Sequence, residues 1–317
     1  MAVKCADIAK DGSPMERVAP GKTRLGFAGI GIMGLAMARN LLAAGYAVNV
    51  WNRNASKCSE LVEAGAQLSS SPAELARQSD VTFAMLSDPP AALAVACGPQ
   101  GVAAGLAPGK GYVDVSTVDA ATSAAIAQAV RSAGALFLEA PVSGSKKPAE
   151  DGKLIFLAAG DKALFDAATP ALDVMGKASF YLGEVGAGAN MKLVVNMIMG
   201  STMVAFAEGL ALAGKAGLKQ ADVLEVLGLG AVAAPMFAMK GPAMIQSDSS
   251  FPPAFPLKHQ QKDMRLAITL GDELAQPLPL AAAANSVYVQ ARGQGLGELD
   301  FSAVIRAVLA QQQAGNA

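Results

Sequence analysis

Leu25-Gly26-Phe27-Ala28-Gly29-Ile30-Gly31-Ile32-Met33-Gly34 is a short apolar run that breaks into glycines spaced as G-x-G-x-x-G. The run before the glycines reads as a buried strand, and the alanine-rich stretch after them reads as a helix. In that strand-to-helix position the pattern is a dinucleotide fingerprint. Gly29 makes the tight turn, Gly31 lets a pyrophosphate reach the N–H groups at the helix N-terminus, and Gly34 lets helix and strand touch. Gly29, Ile30, Gly31, Ile32, Met33 and Gly34 are therefore the first candidate cofactor-binding residues.

Outward from the fingerprint, apolar runs at 47–51, 81–86 and 112–115 each lead into a helical stretch. That alternation predicts a Rossmann-type, doubly wound parallel sheet of the α/β class. Further short strands are expected at 136–139 and 154–158. Gly45 closes the first helix, Ser71-Pro72-Ala73-Glu74 reads as a capping box with Pro at the first helical position, and Pro108-Gly109 marks a turn. Past Gly186-Ala187-Gly188 the pattern becomes helical, with a long apolar helix over about 189–214 and proline breaks at Pro252-Pro253 and Pro256. The expected division is an N-terminal extension over 1–23, a dinucleotide-binding Rossmann domain over 24–186, and an all-α substrate and oligomerisation domain over 187–317. The richest apolar window, 193–207, is shorter than the roughly 20 residues of a bilayer span, so a buried helix covered by other helices or a second subunit is expected there.

Composition narrows the function classes. A chain of 317 residues has room for two domains, and 25 Lys and Arg against 26 Asp and Glu leave a net charge of −1, no field for nucleic acid or an anionic membrane. Hydrophobic residues at 52%, charged residues at 16% and 33 glycines fit a compact α/β protein, and aromatics at 5% supply no base-stacking surface. Cys5, Cys58 and Cys97 are an odd number with no close pair, and His259 is the single histidine, so neither a disulfide framework nor a metal site is expected. Residues 1–23 mix Lys4, Lys10, Arg17 and Lys22 with Asp7, Asp11 and Glu16 around no apolar core. No secretory signal is expected; a cytoplasmic location is, with a plastid or mitochondrial transit peptide as the alternative.

The second strand ends at Trp51-Asn52-Arg53-Asn54, where an NAD site would carry an acidic residue against the ribose 2′-hydroxyl. No carboxylate stands there. Arg53 instead offers a guanidinium to a 2′-phosphate, with Asn52 and Ser56 as further donors, which favours NADPH over NADH. Leu86-Ser87 and Thr117 follow later strands at their carboxyl ends, where ligands bind in such sheets.

Three segments outside the fingerprint carry chemistry: Asp114-Val115-Ser116-Thr117; Ala140-Pro141-Val142-Ser143-Gly144-Ser145; and Gly186-Ala187-Gly188-Ala189-Asn190-Met191-Lys192-Leu193-Val194-Val195-Asn196. With Lys262-Asp263-Met264-Arg265-Leu266-Ala267, in this order and spacing, they resemble the β-hydroxyacid dehydrogenase family over about 25–307. Ser145 stands where the broader family has a second glycine. That stretch and Pro252-Pro253-Ala254-Phe255-Pro256-Leu257 are similar to the plant-type glyoxylate/succinic semialdehyde reductases. The resemblance implies NADPH-dependent reduction of a small aldehyde acid, glyoxylate to glycolate and succinic semialdehyde to 4-hydroxybutyrate. It also implies that Lys262 reaches the cofactor and that Phe255 and Asp263 line the substrate pocket.

Reducing an aldehyde requires a hydride at carbon and a proton at oxygen, and the chain supplies only the proton. Lys192 and Asn196 lie one helical turn apart and project from one face, so Lys192 is the candidate acid, with Asn196 orienting it or bonding the same oxygen. Taken alone, a lysine near a helix N-terminus is usually solvated; the family context gives this one its catalytic role. Ser143, Gly144 and Ser145 offer hydroxyls and backbone N–H groups to the substrate carboxylate. Thr117 falls between nicotinamide ribose and substrate.

The rival readings are a 3-hydroxyisobutyrate or tartronate semialdehyde dehydrogenase, which Arg53 and Ser145 disfavour, and a non-catalytic dinucleotide-binding scaffold or an imine reductase, which Lys192 disfavours. The expected partner is a small aldehyde acid, with no nucleic acid and no membrane, in a homodimer or homotetramer. The Arg53 reading is checked by cofactor kinetics. Charge-assisted hydrogen bonds of about 1.5–3 kcal/mol mean that Arg53→Ala raises KM for NADPH about tenfold or more and leaves KM for NADH nearly unchanged.

Overall fold

The computed structural model describes residues 15–246 and 248–314. Residues 1–14, with Cys5 and the larger part of the expected extension, lie outside the described residues, as do Ser247 and 315–317. In the described part of the extension Val18 is buried and its N–H donates to Ala167 O at 2.9 Å, while Glu16, Arg17, Pro20, Gly21 and Lys22 are exposed. The chain divides into two compact units, one ending at Lys192 and one starting at Leu193.

The first unit runs β1 (Arg24–Ala28), α1 (Ile32–Ala43), β2 (Ala47–Trp51), α2 (Ser59–Glu63), β3 (Gln67–Leu68), α3 (Pro72–Gln78), β4 (Val81–Ala84), α4 (Pro89–Cys97) and β5 (Gly111–Asp114). It continues with α5 (Ala120–Ser132), β6 (Leu136–Glu139), β7 (Val142–Ser143), α6 (Lys146–Glu150), β8 (Leu154–Gly160), α7 (Lys162–Met175), β9 (Gly176–Tyr181) and the start of α8 (Ala187–Lys215). The sheet order is β3-β2-β1-β4-β5-β6-β8-β7, with β9 paired to β8. From β3 to β6 every pairing is parallel, and the order reverses between β1 and β4, which is the doubly wound arrangement expected. β4 and β5 are buried along their whole length, as strands covered on both faces must be. Across the switch point the Phe27 and Phe83 rings stack at 6.2 Å.

Beyond β6 the doubly wound parallel sheet is extended by strands of mixed direction. β8 runs antiparallel to both β6 and β7, while β9 is parallel to β8. α6 has five residues, and at about 1.5 Å per residue it is too short to return the chain along a strand, so β8 enters from the opposite end. β6 and β7 keep one register against β8, Glu139 facing Ala159 and Val142 facing Phe156, so they are one strand interrupted at Ala140-Pro141. Pro141 has no N–H for the ladder, yet its carbonyl still accepts from Leu157 N at 3.0 Å. The capping box is half as read: Ser71 Oγ accepts from Glu74 N at 3.1 Å, but the Glu74 carboxylate accepts from Ser70 N at 2.6 Å, one residue early.

The second unit holds the rest of α8, then α9 (Gln220–Leu229), α10 (Pro235–Met244), α11 (Leu257–Glu273), α12 (Pro279–Gly293) and α13 (Val304–Ala314). Among the described residues it is all-α, as expected, with one isolated bridge between Pro256 and Asp300. Its core gathers Met203, Phe206, Leu210, Met264, Tyr288 and Val304. α8 is longer than the sequence implied. Its 29 residues are long and apolar enough by length and composition to cross a membrane, and 44% of its most apolar window is buried inside the chain.

The close approach of α1 to β1 generates a stability prediction. A Cβ at Gly34 would overlap Gly29 O and press on the Phe27 ring. Gly34→Ala is expected to destabilise the chain by about 1–3 kcal/mol, read as a lower urea midpoint at unchanged m.

Candidate active site

The carboxyl ends of β1, β2, β4 and β5 are laced together by short polar bonds. Gly29, at φ +93°, turns the chain out of β1, and its N–H donates to Trp51 O at 2.9 Å. Gly31 is different: its backbone is extended at φ −99° and a Cβ there would meet no atom of the chain within 4 Å. Neither conformation nor internal packing demands a glycine at 31, and a backbone kept bare for a pyrophosphate does. The fingerprint therefore fits a dinucleotide.

Asn52 faces inward, its Oδ1 accepting from Ile30 N at 3.0 Å and its Nδ2 donating to Asn54 O at 2.8 Å. Ser56 donates its hydroxyl to Asn54 Oδ1 at 2.8 Å. Both side chains thus shape the loop, and Arg53 between them is exposed. Leu86 N donates to Ser116 Oγ at 2.9 Å, and Ser116 N donates to Asp114 Oδ1 at 2.9 Å, which brings the ends of β4 and β5 together just before the half-buried Thr117. Ser87 Oγ donates to Asp88 Oδ2 at 2.7 Å, and Asp88 caps α4.

Ser143 lies on β7 opposite Ile155, Gly144 turns out at φ +129°, and Ser145 begins α6. Asn40 of α1 donates to Ala149 O at 2.8 Å, tying α6 to the fingerprint helix. Four residues before Ser143 stands Glu139, which sequence reasoning missed. Its buried Oε1 accepts from Gly186 N and Gly188 N at 2.8 Å and from Ala189 N at 3.2 Å, while the Ser123 hydroxyl donates to Oε2. A carboxylate at this end complements the helix dipole and satisfies N–H groups that have no partner within the helix. Gly188 packs so tightly that a Cβ would overlap Leu157 O. The available signal was a helix start, Gly186-Ala187-Gly188, with no capping side chain of its own and an acidic residue closing an earlier strand. Lys192 sits one turn further along α8 and is only 6% exposed.

In the second unit Asn196 and Asp263 are both buried, and Asn196 Nδ2 donates to Asp263 Oδ2 at 2.6 Å. Lys262 Nζ lies 3.1 Å from Asp263 Oδ1, an ion pair outside hydrogen-bond geometry. Gln260 Nε2 donates to Asn196 O at 2.9 Å, so α8 and α11 meet along a polar seam. The structure thus brings Asn196, Lys262 and Asp263 together and gives the Asn196 amide to a carboxylate. Phe255 is partly exposed on the loop before α11, its ring 6.4 Å from that of His259.

Residues 24–183 match the NAD binding domain of 6-phosphogluconate dehydrogenase, and residues 186–308 match the NAD-binding segment of NADP-dependent 3-hydroxyisobutyrate dehydrogenase. The chain belongs to the β-hydroxyacid dehydrogenase family. It is 62% identical to glyoxylate/succinic semialdehyde reductase 1 of Arabidopsis thaliana over 90% of this chain and 98% of that one. It is 58% identical to the chloroplastic reductase 2 of the same plant over 94% of this chain and 83% of that one. The solved 3-hydroxyisobutyrate dehydrogenase of Salmonella typhimurium superposes with a TM-score of 0.82 at 29% identity, over 90% of this chain and 99% of that one.

In this β-hydroxyacid dehydrogenase, burial pushes the Glu139 carboxyl up from its ordinary value, against the pull of the Ser123 hydroxyl and the backbone N–H groups. A pKa higher in the folded chain than in the unfolded one favours the folded state most below the unfolded value, and that advantage is lost as pH rises through the folded value. Glu139→Gln has no such titration. The stability gap between wild type and Glu139→Gln is therefore expected to narrow as pH rises from about 4 to about 8, measured by urea unfolding across that range.

Proposed function

We propose that the chain is an NADPH-dependent reductase of small aldehyde acids, converting glyoxylate to glycolate and succinic semialdehyde to 4-hydroxybutyrate. The observation that carries the reading is the buried Lys192 one turn into α8, in a chain 62% identical to a curated glyoxylate/succinic semialdehyde reductase. Residues 24–186 are assigned to the cofactor and 187–317 to the substrate and to oligomerisation. Gly29, Ile30, Gly31, Ile32, Met33 and Gly34 hold the pyrophosphate. Arg53 takes the 2′-phosphate on the loop that Asn52 and Ser56 shape, Leu86, Ser87 and Thr117 border the nicotinamide end, and Lys262 closes on the cofactor. When bound, the nicotinamide supplies the hydride.

The chain's own work is binding and proton delivery. Ser143, Gly144 and Ser145 give the substrate carboxylate two hydroxyls and backbone N–H groups, and Phe255 forms an apolar wall. Lys192 Nζ, as an ammonium, polarises the aldehyde oxygen and passes its proton to that oxygen as it becomes an alkoxide. Asn196 and Asp263, hydrogen-bonded at 2.6 Å, keep the next turn of α8 in place. A homodimer or homotetramer is supported by exposed apolar side chains on the second unit, among them Ile198, Leu212 and Leu229. The assigned location is the cytoplasm, with a plastid or mitochondrial one as the alternative, since one relative is named chloroplastic.

General acid catalysis contributes about 10²–10⁴ in rate, so Lys192→Ala is expected to lower kcat by at least that factor while NADPH titration by fluorescence stays near wild type. Lys192→Arg does not restore turnover, because a guanidinium holds its proton at neutral pH. Near-normal glyoxylate reduction by Lys192→Ala would remove the lysine from the mechanism.

A further inference from the structure

The segment before α11 cannot hold itself. Pro252, Pro253 and Pro256 have no backbone N–H, so residues 251–256 can build neither a helical turn nor a ladder of their own. Phe251 adopts φ +48°, a conformation that residues other than glycine keep only under external restraint. The restraint comes from about 45 residues further along, where Asp300 is buried. Asp300 Oδ2 accepts from Ala254 N at 3.1 Å and from Phe255 N at 3.2 Å. Asp300 N donates to Phe251 O at 3.0 Å, and Phe301 N donates to Phe255 O at 2.9 Å. Both backbone polar groups of Phe255 are thereby taken. Its ring is set against Phe301 at 5.8 Å, edge to face.

A carboxylate buried this deeply requires a counter-charge, and Lys240 of α10 provides it, Nζ to Oδ2 at 2.8 Å with side chains 17% and 3% exposed. The same ammonium lies 5.4 Å from the Phe301 ring centre. The two carboxylate oxygens divide the labour. Oδ1 serves only the local turn, accepting from Ser302 N at 3.2 Å and from the Ser302 hydroxyl at 2.7 Å, while Oδ2 serves the Phe255 loop and Lys240.

We propose that Asp300, neutralised by Lys240, is a positioning residue that fixes Phe255 and so sets how the enzyme discriminates between aldehyde acids of different chain length. This rests on the reading of Phe255 as a wall of the substrate pocket. A four-carbon acid lays two methylenes against such a wall and a two-carbon acid lays none, so displacing the ring penalises the longer substrate.

Asp300→Asn leaves an acceptor for Ser302 and turns an amide N–H₂ toward the Ala254 and Phe255 N–H groups. With NADPH saturating, KM for succinic semialdehyde is expected to rise about tenfold or more, KM for glyoxylate less than about threefold, and kcat and KM for NADPH to stay within about twofold. Hydrogen exchange across 250–257 accelerates in the same variant, and combining it with Phe255→Ala adds no further loss to Phe255→Ala alone. Lys240→Met, which keeps the carboxylate, moves the two aldehyde KM values apart in the same direction and keeps the question answerable if Asp300→Asn does not fold. Equal losses for both aldehydes, unchanged exchange across 250–257, or additive losses in the double variant would overturn the proposal. A wild-type chain that reduces neither acid overturns the functional reading and the specificity half with it, whereas wild-type reduction with an unaltered KM ratio in both variants overturns this proposal alone.

Discussion

A buried carboxylate meeting the open end of a long helix is the contact on which the rest of the site depends. Glu139 closes a strand of the sheet, and three N–H groups at the start of α8 converge on it. Removing a carboxylate from water is expensive, and the bonds from Gly186, Gly188, Ala189 and Ser123 recover part of that expense. The arrangement therefore fixes where α8 begins and how it is rotated. Lys192, at the end of the same unit, inherits both, because on a regular helix the direction of a side chain follows from its distance to the first turn.

Much of this was legible in the sequence. The glycine spacing with its flanking strand and helix located the dinucleotide end, and the alternation of apolar runs located the parallel half of the sheet. Strand direction past β6 was not legible, because alternation carries no sign and the short α6 decides the matter. β3 and β7, two residues each, are shorter than any period that could reveal them. Lys192, Asn196, Lys262 and Asp263 were visible through motif spacing. Glu139 and Asp300 were not, since each works on backbone about 45 residues or more away in the chain, and nothing local marks a carboxylate as buried.

α11 shows a similar limit. Gln260, Gln261, Lys262 and Asp263 are four consecutive polar residues, all buried, where helical periodicity would put some of them in water. Gln261 accepts from Arg292 and donates to Asn285 at 2.9 Å, so the polar run finds partners on the α12 side as well as on the α8 side, although Gln260 Oε1 and Asp263 Oδ1 accept no hydrogen bond among the described residues. A seam of this kind contributes less to stability than apolar packing of equal area, but partners that must match atom by atom hold the three helices in one register.

The interrupted strand formed by β6 and β7 has a consequence for how the chain can vary. Pairing with β8 continues through Ala140-Pro141 without a slip, so alternation is preserved and residues 139, 141 and 143 share one face of the sheet. The carboxylate that starts α8 and the hydroxyl of Ser143 are thus two teeth of one comb. Side-chain identity between them is open to drift, but length is not: losing or gaining one residue at 140–142 would turn one of the two to the opposite face. Evolution can rewrite this stretch by substitution and is barred from rewriting it by insertion or deletion.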